Sequence, residues 1–234
     1  MCKKTIFFKY LIFNSLAFVL FFVLSAAQAQ NKTKPENNTQ KSDRSKTILF
    51  LGNSLTAGYG LETTQAYPAL IQEKIDSLKL PFSVINAGLS GETSAGGLRR
   101  LNWLLRSPVD VFVLALGAND GLRGFPPTVT TENLQNIIKN VREKNPDCAV
   151  VIAGMEALPN MGESYVREFR EIFPKVAKAN NAALIPFLLA DVAGRPALNL
   201  ADGVHPNIAG QKIVAENVWE VLKPVLEKRA GGGN

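Results

Sequence analysis

The chain has 234 residues, with 26 Lys+Arg against 20 Asp+Glu, a formal charge of +6, two cysteines and one histidine. The basic excess lies in the first 46 residues, leaving 18 charges of each sign in residues 47–234. A neutral body gives no warrant for a nucleic-acid surface, and a single histidine excludes a multi-histidine metal site.

Residues 1–29 read as a secretory signal peptide. Lys3, Lys4 and Lys9 precede an apolar run from Leu11 to Leu24, and Ala27-Gln28-Ala29 supplies a small-residue cleavage site. The competing reading is a retained membrane anchor, because Phe7 to Ala27 is nearly long enough to span a bilayer. Either reading puts the body outside the inner membrane, in the periplasm or beyond the cell. Residues 30–46, "QNKTKPENNTQKSDRSK", hold nothing able to build a core and read as a linker. Cys2 leaves with the leader, so Cys148 has no disulfide partner within the body. Residues 47–234 must fold as one domain on their own apolar core.

That domain alternates. Apolar runs at 47–51, 82–86, 110–116, 148–154 and 183–187 read as buried strands. Between them lie stripes of helical period. These are Ala69, Leu70, Ile71, Ile75 and Leu78; Leu98, Leu101, Leu104 and Leu105; and Leu134, Ile137, Ile138 and Val141. Val166, Phe169, Ile172, Phe173 and Val176 form a fourth, and Ile213, Val214, Val218 and Val221 the last. Near-continuous apolar strands separated by helices predict an α/β three-layer sandwich, with a flavodoxin-like doubly wound five-stranded parallel sheet. In such a sheet, function belongs to the loops leaving the carboxyl ends of the strands.

Those loops hold the unusual polar residues. Gly52-Asn53-Ser54 follows the first strand, and Asn86-Ala87-Gly88-Leu89-Ser90-Gly91-Glu92-Thr93 the second. Gly117-Ala118-Asn119-Asp120-Gly121 follows the third, and Asp202-Gly203-Val204-His205-Pro206 precedes the last helix. In an Asp-x-x-His turn the carboxylate can accept the Nδ1 proton, leaving Nε2 free as a base. Histidine, with an ordinary pKa of about 6.5, suits that work near neutrality. A serine hydroxyl needs such a base. Ser54 is the preferred nucleophile and Ser90 the rival; a helix cap is the simpler role for Ser54 and is compatible with catalysis. A developing oxyanion needs fixed donors, which the amides of Ser54 and Gly91 and the Asn119 side chain would supply. Phosphate-binding fingerprints are missing: there is no G-x-x-x-x-G-K-[S/T] and no G-x-G-x-x-G after the first strand; G-x-S-x-G, the nucleophile elbow of larger α/β hydrolases, is also absent.

The stretches "LGNSLTAGYG" (51–60), "NAGLSGETSAGGLRRL" (86–101), "LALGANDGLRGFP" (114–126) and "LNLADGVHPNIAGQKIVAENVW" (198–219) resemble, in order, the four blocks of the SGNH or GDSL-type hydrolase family. The resemblance runs from about Thr47 to Leu222 and is nearest to the secreted branch of acyl-CoA thioesterase I, lysophospholipase L1 and arylesterases. It implies Ser54 as nucleophile, His205 as base and Asp202 as its orienting acid. It implies an oxyanion hole of Ser54, Gly91 and Asn119, with no metal or organic cofactor. The implied partner is a small-molecule or lysolipid acyl substrate, met by a monomer with at most transient membrane contact and no nucleic acid. One residue departs from the family motif: Asn53 stands where the family has aspartate. If that residue held backbone amides of the oxyanion loop, an amide would hold them less strongly than a carboxylate. Loops around 120–130 and 155–164 are expected to wall an acyl chain, with Arg123 as a candidate contact for substrate phosphate. A carbohydrate O-deacetylase with the same triad and a non-catalytic lipid- or carbohydrate-binding domain remain as alternatives.

Overall fold

The computed structural model describes residues 45–231. The leader, the linker up to residue 44 and the last three residues lie outside the described residues. Five strands, β1 (Lys46–Gly52), β2 (Phe82–Gly88), β3 (Val111–Ala115), β4 (Ala149–Ala153) and β5 (Ala183–Ile185), form one parallel sheet in the order β2-β1-β3-β4-β5. β1 starts one residue inside the stretch read as linker, where the Lys46 N–H donates to the Pro81 carbonyl at 2.8 Å. β5 stops at Ile185, short of the apolar run, because Pro186 has no N–H to offer a ladder.

The principal helices are α1 (Ser54–Ala57), α2 (Tyr67–Ser77), α3 (Ser94–Leu104), α4 (Ala118–Leu122), α5 (Pro127–Lys144), α6 (Glu163–Arg170), α7 (Ile172–Ala179) and α8 (Ile208–Ala230). α2 packs with α8 on one face of the sheet, while α3, α5 and α7 pack in series on the other. Both faces are therefore covered, which is why β1 and β3 read as unbroken apolar runs: Ile48 to Leu51 and Val111 to Ala115 are all buried. Each such large side chain contributes roughly 1.5–3 kcal/mol on burial.

Two helical expectations need refinement. The stripe from Val166 to Val176 is not one helix but two, broken at Glu171. Pro174 cannot donate to the Arg170 carbonyl and its ring crowds that oxygen, so the turn before it opens. Leu78 caps α2 and is half-exposed rather than part of the buried stripe.

The outer strand β2 keeps its backbone occupied. Gln72 of α2 accepts the Val84 N–H at 2.7 Å and donates to the Phe82 carbonyl at 3.2 Å, while Asn86 Oδ1 accepts the Gly88 N–H at 2.9 Å. Gly88 itself must be glycine: a Cβ there would lie 2.3 Å from the Ala57 nitrogen, because α1 rests on the end of β2. The chain turns outward from β1 to β2 and then crosses to β3 on the other side. That puts the topological switch point at the carboxyl ends of β1 and β3. Gly52 is level with both Gly88 and Ala115, so the loops after all three strands open at one height.

Candidate active site

Ser54 begins a single helical turn at the end of the buried strand β1. Asn53, only 1% exposed, caps that turn by accepting the Leu55 N–H at 2.9 Å. The turn is clamped from two further sides. Asn86 Nδ2 donates to the Thr56 carbonyl at 2.9 Å, and Gln211 Nε2, reaching from α8, lies 3.5 Å from the Leu55 carbonyl. The conditional reading of Asn53 as a holder of the oxyanion loop is thus corrected, since its acceptor serves the nucleophile's own turn. The reason is distance along the chain: the Leu55 amide is two residues away and otherwise lacks a helical partner. A carboxylate would make this bond charge-assisted and roughly twice as strong, against the cost of burying its charge. Asn53→Asp is therefore expected to raise kcat for ester hydrolysis only modestly, roughly two- to threefold. Steady-state kinetics showing no gain, or a loss, would remove the cap as a lever on rate.

The loop from 199 to 206 is closed by a bridge between Asn199 and Pro206 and by the Leu200 N–H donating to the His205 carbonyl at 2.7 Å. Inside it, Asp202 Oδ1 accepts the N–H groups of Val204 at 2.9 Å and His205 at 3.0 Å, while Oδ2 lies 2.7 Å from His205 Nδ1. The backbone amides of His205 and Val204, then the imidazole, hold the Asp202 carboxyl down to about 2. An ionised carboxylate only accepts, so Nδ1 carries the proton and a neutral imidazole presents Nε2 as an acceptor. Nε2 is 2.9 Å from Ser54 Oγ, across 151 positions of sequence. Carboxylate, imidazole and hydroxyl therefore form one continuous hydrogen-bonded chain.

The expected oxyanion donors lie on the two neighbouring loops. Gly91 sits in the loop after β2, and Asn119 in the first turn of α4 after β3. Asn119 Nδ2 donates to the Glu92 carbonyl at 2.9 Å, which ties the two loops together and leaves its second proton for another acceptor. Ser90, the rival nucleophile, is exposed in the turn before Gly91, whereas the imidazole faces Ser54. Arg123 is exposed and donates to the Gly91 carbonyl at 3.1 Å, so it braces the loop after β2 directly.

Several supports were missed in the sequence. Glu92 is buried and accepts a forked pair of bonds from Arg100, whose Nε lies 2.7 and 2.9 Å from its two oxygens; Arg100 also donates to the Ala87 carbonyl. Asp120 is fully buried and accepts the Ser94 N–H at 2.9 Å and the Ser94 hydroxyl, fastening the start of α3 to the turn that carries Asn119. Charged residues inside "SGET" and "GAND" were the available signal, since a buried carboxylate must find donors. Away from the site, Cys148 is buried, and burial, opposed by Arg229, pushes its thiol up to about 12. It is an inert sulfur rather than a competing nucleophile.

A groove of about 520 Å³ between α2 and β2, lined by residues including Ala57, Pro68, Gln72 and Val84, carries no titratable side chain. Exposed apolar side chains follow the carboxyl ends of the strands: Leu89 after β2, Leu122 at the end of α4, Leu158 after β4 and Val204 in the 199–206 loop.

The chain is similar to several known proteins. The chain is 39% identical to esterase TesA of Pseudomonas aeruginosa over 181 residues, 77% of this chain and 89% of that protein. It is 37% identical to an arylesterase of Vibrio mimicus over 208 residues, 88% of this chain and 96% of that one. The crystal structure of TesA superimposes with a TM-score of 0.74 at 39% identity, covering 77% of this chain and 99% of that one. The psychrotrophic esterase EstA from Pseudoalteromonas sp., solved as inhibited by monoethylphosphonate, gives 0.73 at 35% identity, covering 78% and 99%. Residues 50–213 match the GDSL-like lipase/acylhydrolase profile, so with a five-stranded parallel sheet and a Ser54–His205–Asp202 chain at its switch point, this protein belongs to the GDSL-like lipase/acylhydrolase family.

Proposed function

We propose that the protein is a serine esterase that hydrolyses acyl esters, including aryl esters, acyl thioesters and lysophospholipids, through an acyl-Ser54 intermediate. The observation that carries this reading is the unbroken chain from Asp202 through His205 to the Ser54 hydroxyl. Ser54 Oγ attacks the acyl carbon as His205 Nε2 takes its proton, and the Asp202 carboxylate stabilises the imidazolium. The amides of Ser54 and Gly91 and the Asn119 side chain receive the oxyanion. Collapse expels the alcohol or thiol, protonated by His205; water, activated by the same imidazole, then frees the acid. The apolar rim of Leu89, Leu122, Leu158 and Val204 favours a hydrocarbon acyl group over an acetylated sugar. Packing of the Met161 side chain near Gly124 brings the two expected wall loops together. The leader, with its lysines and Ala27-Gln28-Ala29, supports a place of action in the periplasm or outside the cell.

An organophosphonate tests the reading. One equivalent is expected to modify Ser54, as mapped by peptide mass spectrometry, and to abolish hydrolysis of p-nitrophenyl esters from acetate to decanoate, with the optimum beyond acetate. Hydrolysis that survives complete labelling, or a label on another residue, would overturn the assignment. An optimum at acetate with preference for acetylated sugar would move the substrate to the deacetylase class.

A further inference from the structure

The turn that presents Ser54 does a second thing. It ends at Gly58, whose φ of 75° is left-handed, and a Cβ there would sit 2.6 Å from the Ala66 side chain. The reversal at Gly58 sends the next residue, Tyr59, back over the site, with its N–H donating to the Ser54 carbonyl at 3.0 Å. The Tyr59 ring lies 4.5 Å from the His205 ring, centroid to centroid, with the planes 38° apart. Tyr59 is half-exposed, while the His205 side chain keeps only 21% of its exposure. The phenol ring therefore covers a face of the imidazole that would otherwise meet water.

We propose that Tyr59 is a positioning residue for the catalytic base: its ring holds the His205 imidazole in the rotamer that joins Asp202 to Ser54, and its π face stabilises the imidazolium formed during each acyl transfer. Hydrogen bonds hold His205 at its two nitrogens, and any rotation about its Cβ–Cγ bond swings both out of line. A second ring against the face blocks that rotation. A cation close to an aromatic face is stabilised more strongly when partly desolvated. The groups facing His205 are the Asp202 carboxylate from its own loop, the Ser54 hydroxyl from the start of α1 and the Tyr59 ring from just beyond α1. Nucleophile and base support thus come from one six-residue stretch, Ser54 to Tyr59, which touches both ends of the Ser54–His205 contact.

The inference rests on the serine-esterase reading for its kinetic consequence, but not for its structural one. His205 is the only histidine, so the untagged protein from residue 30 onward has a single imidazole signal that NMR can titrate without any substrate. Tyr59→Leu is expected to lower that titration midpoint by about half a pH unit, and Tyr59→Phe to leave it in place, because only the π face is lost in the first. With p-nitrophenyl butyrate, Tyr59→Leu should lose about tenfold in kcat with KM within about twofold, its acid limb moving to lower pH, and Tyr59→Phe should restore the rate. An unmoved midpoint in Tyr59→Leu overturns the proposal, as does a Phe variant as impaired as Leu, or a change confined to KM, which would make Tyr59 a substrate wall. Should a Ser54→Ala control retain the activity, the esterase reading fails, while the titration still judges Tyr59.

Discussion

Ser54→Ala is expected to reduce kcat for p-nitrophenyl butyrate by on the order of 10⁴–10⁶-fold while leaving the fold intact. The Ser54 hydroxyl has one partner, His205 Nε2, and carries no share of the clamp on its own turn. That clamp consists of the Asn53 cap, the Asn86 contact to Thr56 and the reach of Gln211, all of which bind backbone atoms that alanine retains. The melting temperature should therefore stay within about 2 °C of the parent. Adding His205→Ala to Ser54→Ala should cost little more, because a base without a nucleophile does no work. The remaining rate would come from the oxyanion donors and substrate binding alone. Full activity in Ser54→Ala, or strictly multiplicative losses in the double variant, would show that Ser54 and His205 do not act as a unit.

Asp202→Asn should be nearly as damaging, with a loss of on the order of 10³–10⁴-fold in kcat, and the reason is local geometry. Oδ1 is pinned by the two backbone N–H groups of Val204 and His205, so the amide oxygen of an asparagine will occupy that position. Its NH₂ group then faces Nδ1, which must become an acceptor. The proton moves to Nε2, and the imidazole now donates toward Ser54 instead of accepting from it. Asp202→Ala imposes no tautomer and should lose less than Asp202→Asn, an order that kcat measurements on both variants check directly. The opposite order would mean that the carboxylate acts through charge alone. Linkage gives an independent check. Because the folded-state carboxyl titrates at about 2, below its ordinary 3.8, its contribution to stability is fully present above about pH 4 and is lost as pH falls through 2. Any decline in activity between pH 7 and 4 therefore does not arise from protonating Asp202.

The layers of this fold are legible because covered strands must be apolar throughout and covering helices apolar on one stripe. The five runs and the stripes on α2, α3, α5 and α8 follow from that requirement. So does the meeting of Ser54 with the Asp202–His205 turn, since parallel strands deliver all their outgoing loops to one edge. Other features depend on partners that spacing does not reveal. Pro174 divides α6 from α7 at a position where the apolar period runs on unbroken. Asn53 has a short-range target in Leu55 that a motif alone does not distinguish from the neighbouring loop. Glu92 and Arg100 look like surface residues until the loop folds back over α3, and Asp120 looks like a turn aspartate until Ser94 is seen against it. Tyr59 stands inside the "LGNSLTAGYG" stretch, but only the left-handed Gly58 and the distant 199–206 loop make it a neighbour of His205.

The reach of Gln211 from α8 to the turn of Ser54, together with the 151-residue separation of nucleophile and base, has a consequence for how this hydrolase comes into being. A chain growing or threading from its amino end exposes its serine early, without an imidazole to activate it and without the helix that steadies its turn. The catalytic chain cannot be complete until the 199–206 loop and α8 have been made and have met the turn of Ser54. A polypeptide ended before His205 thus carries a serine with no imidazole to activate it.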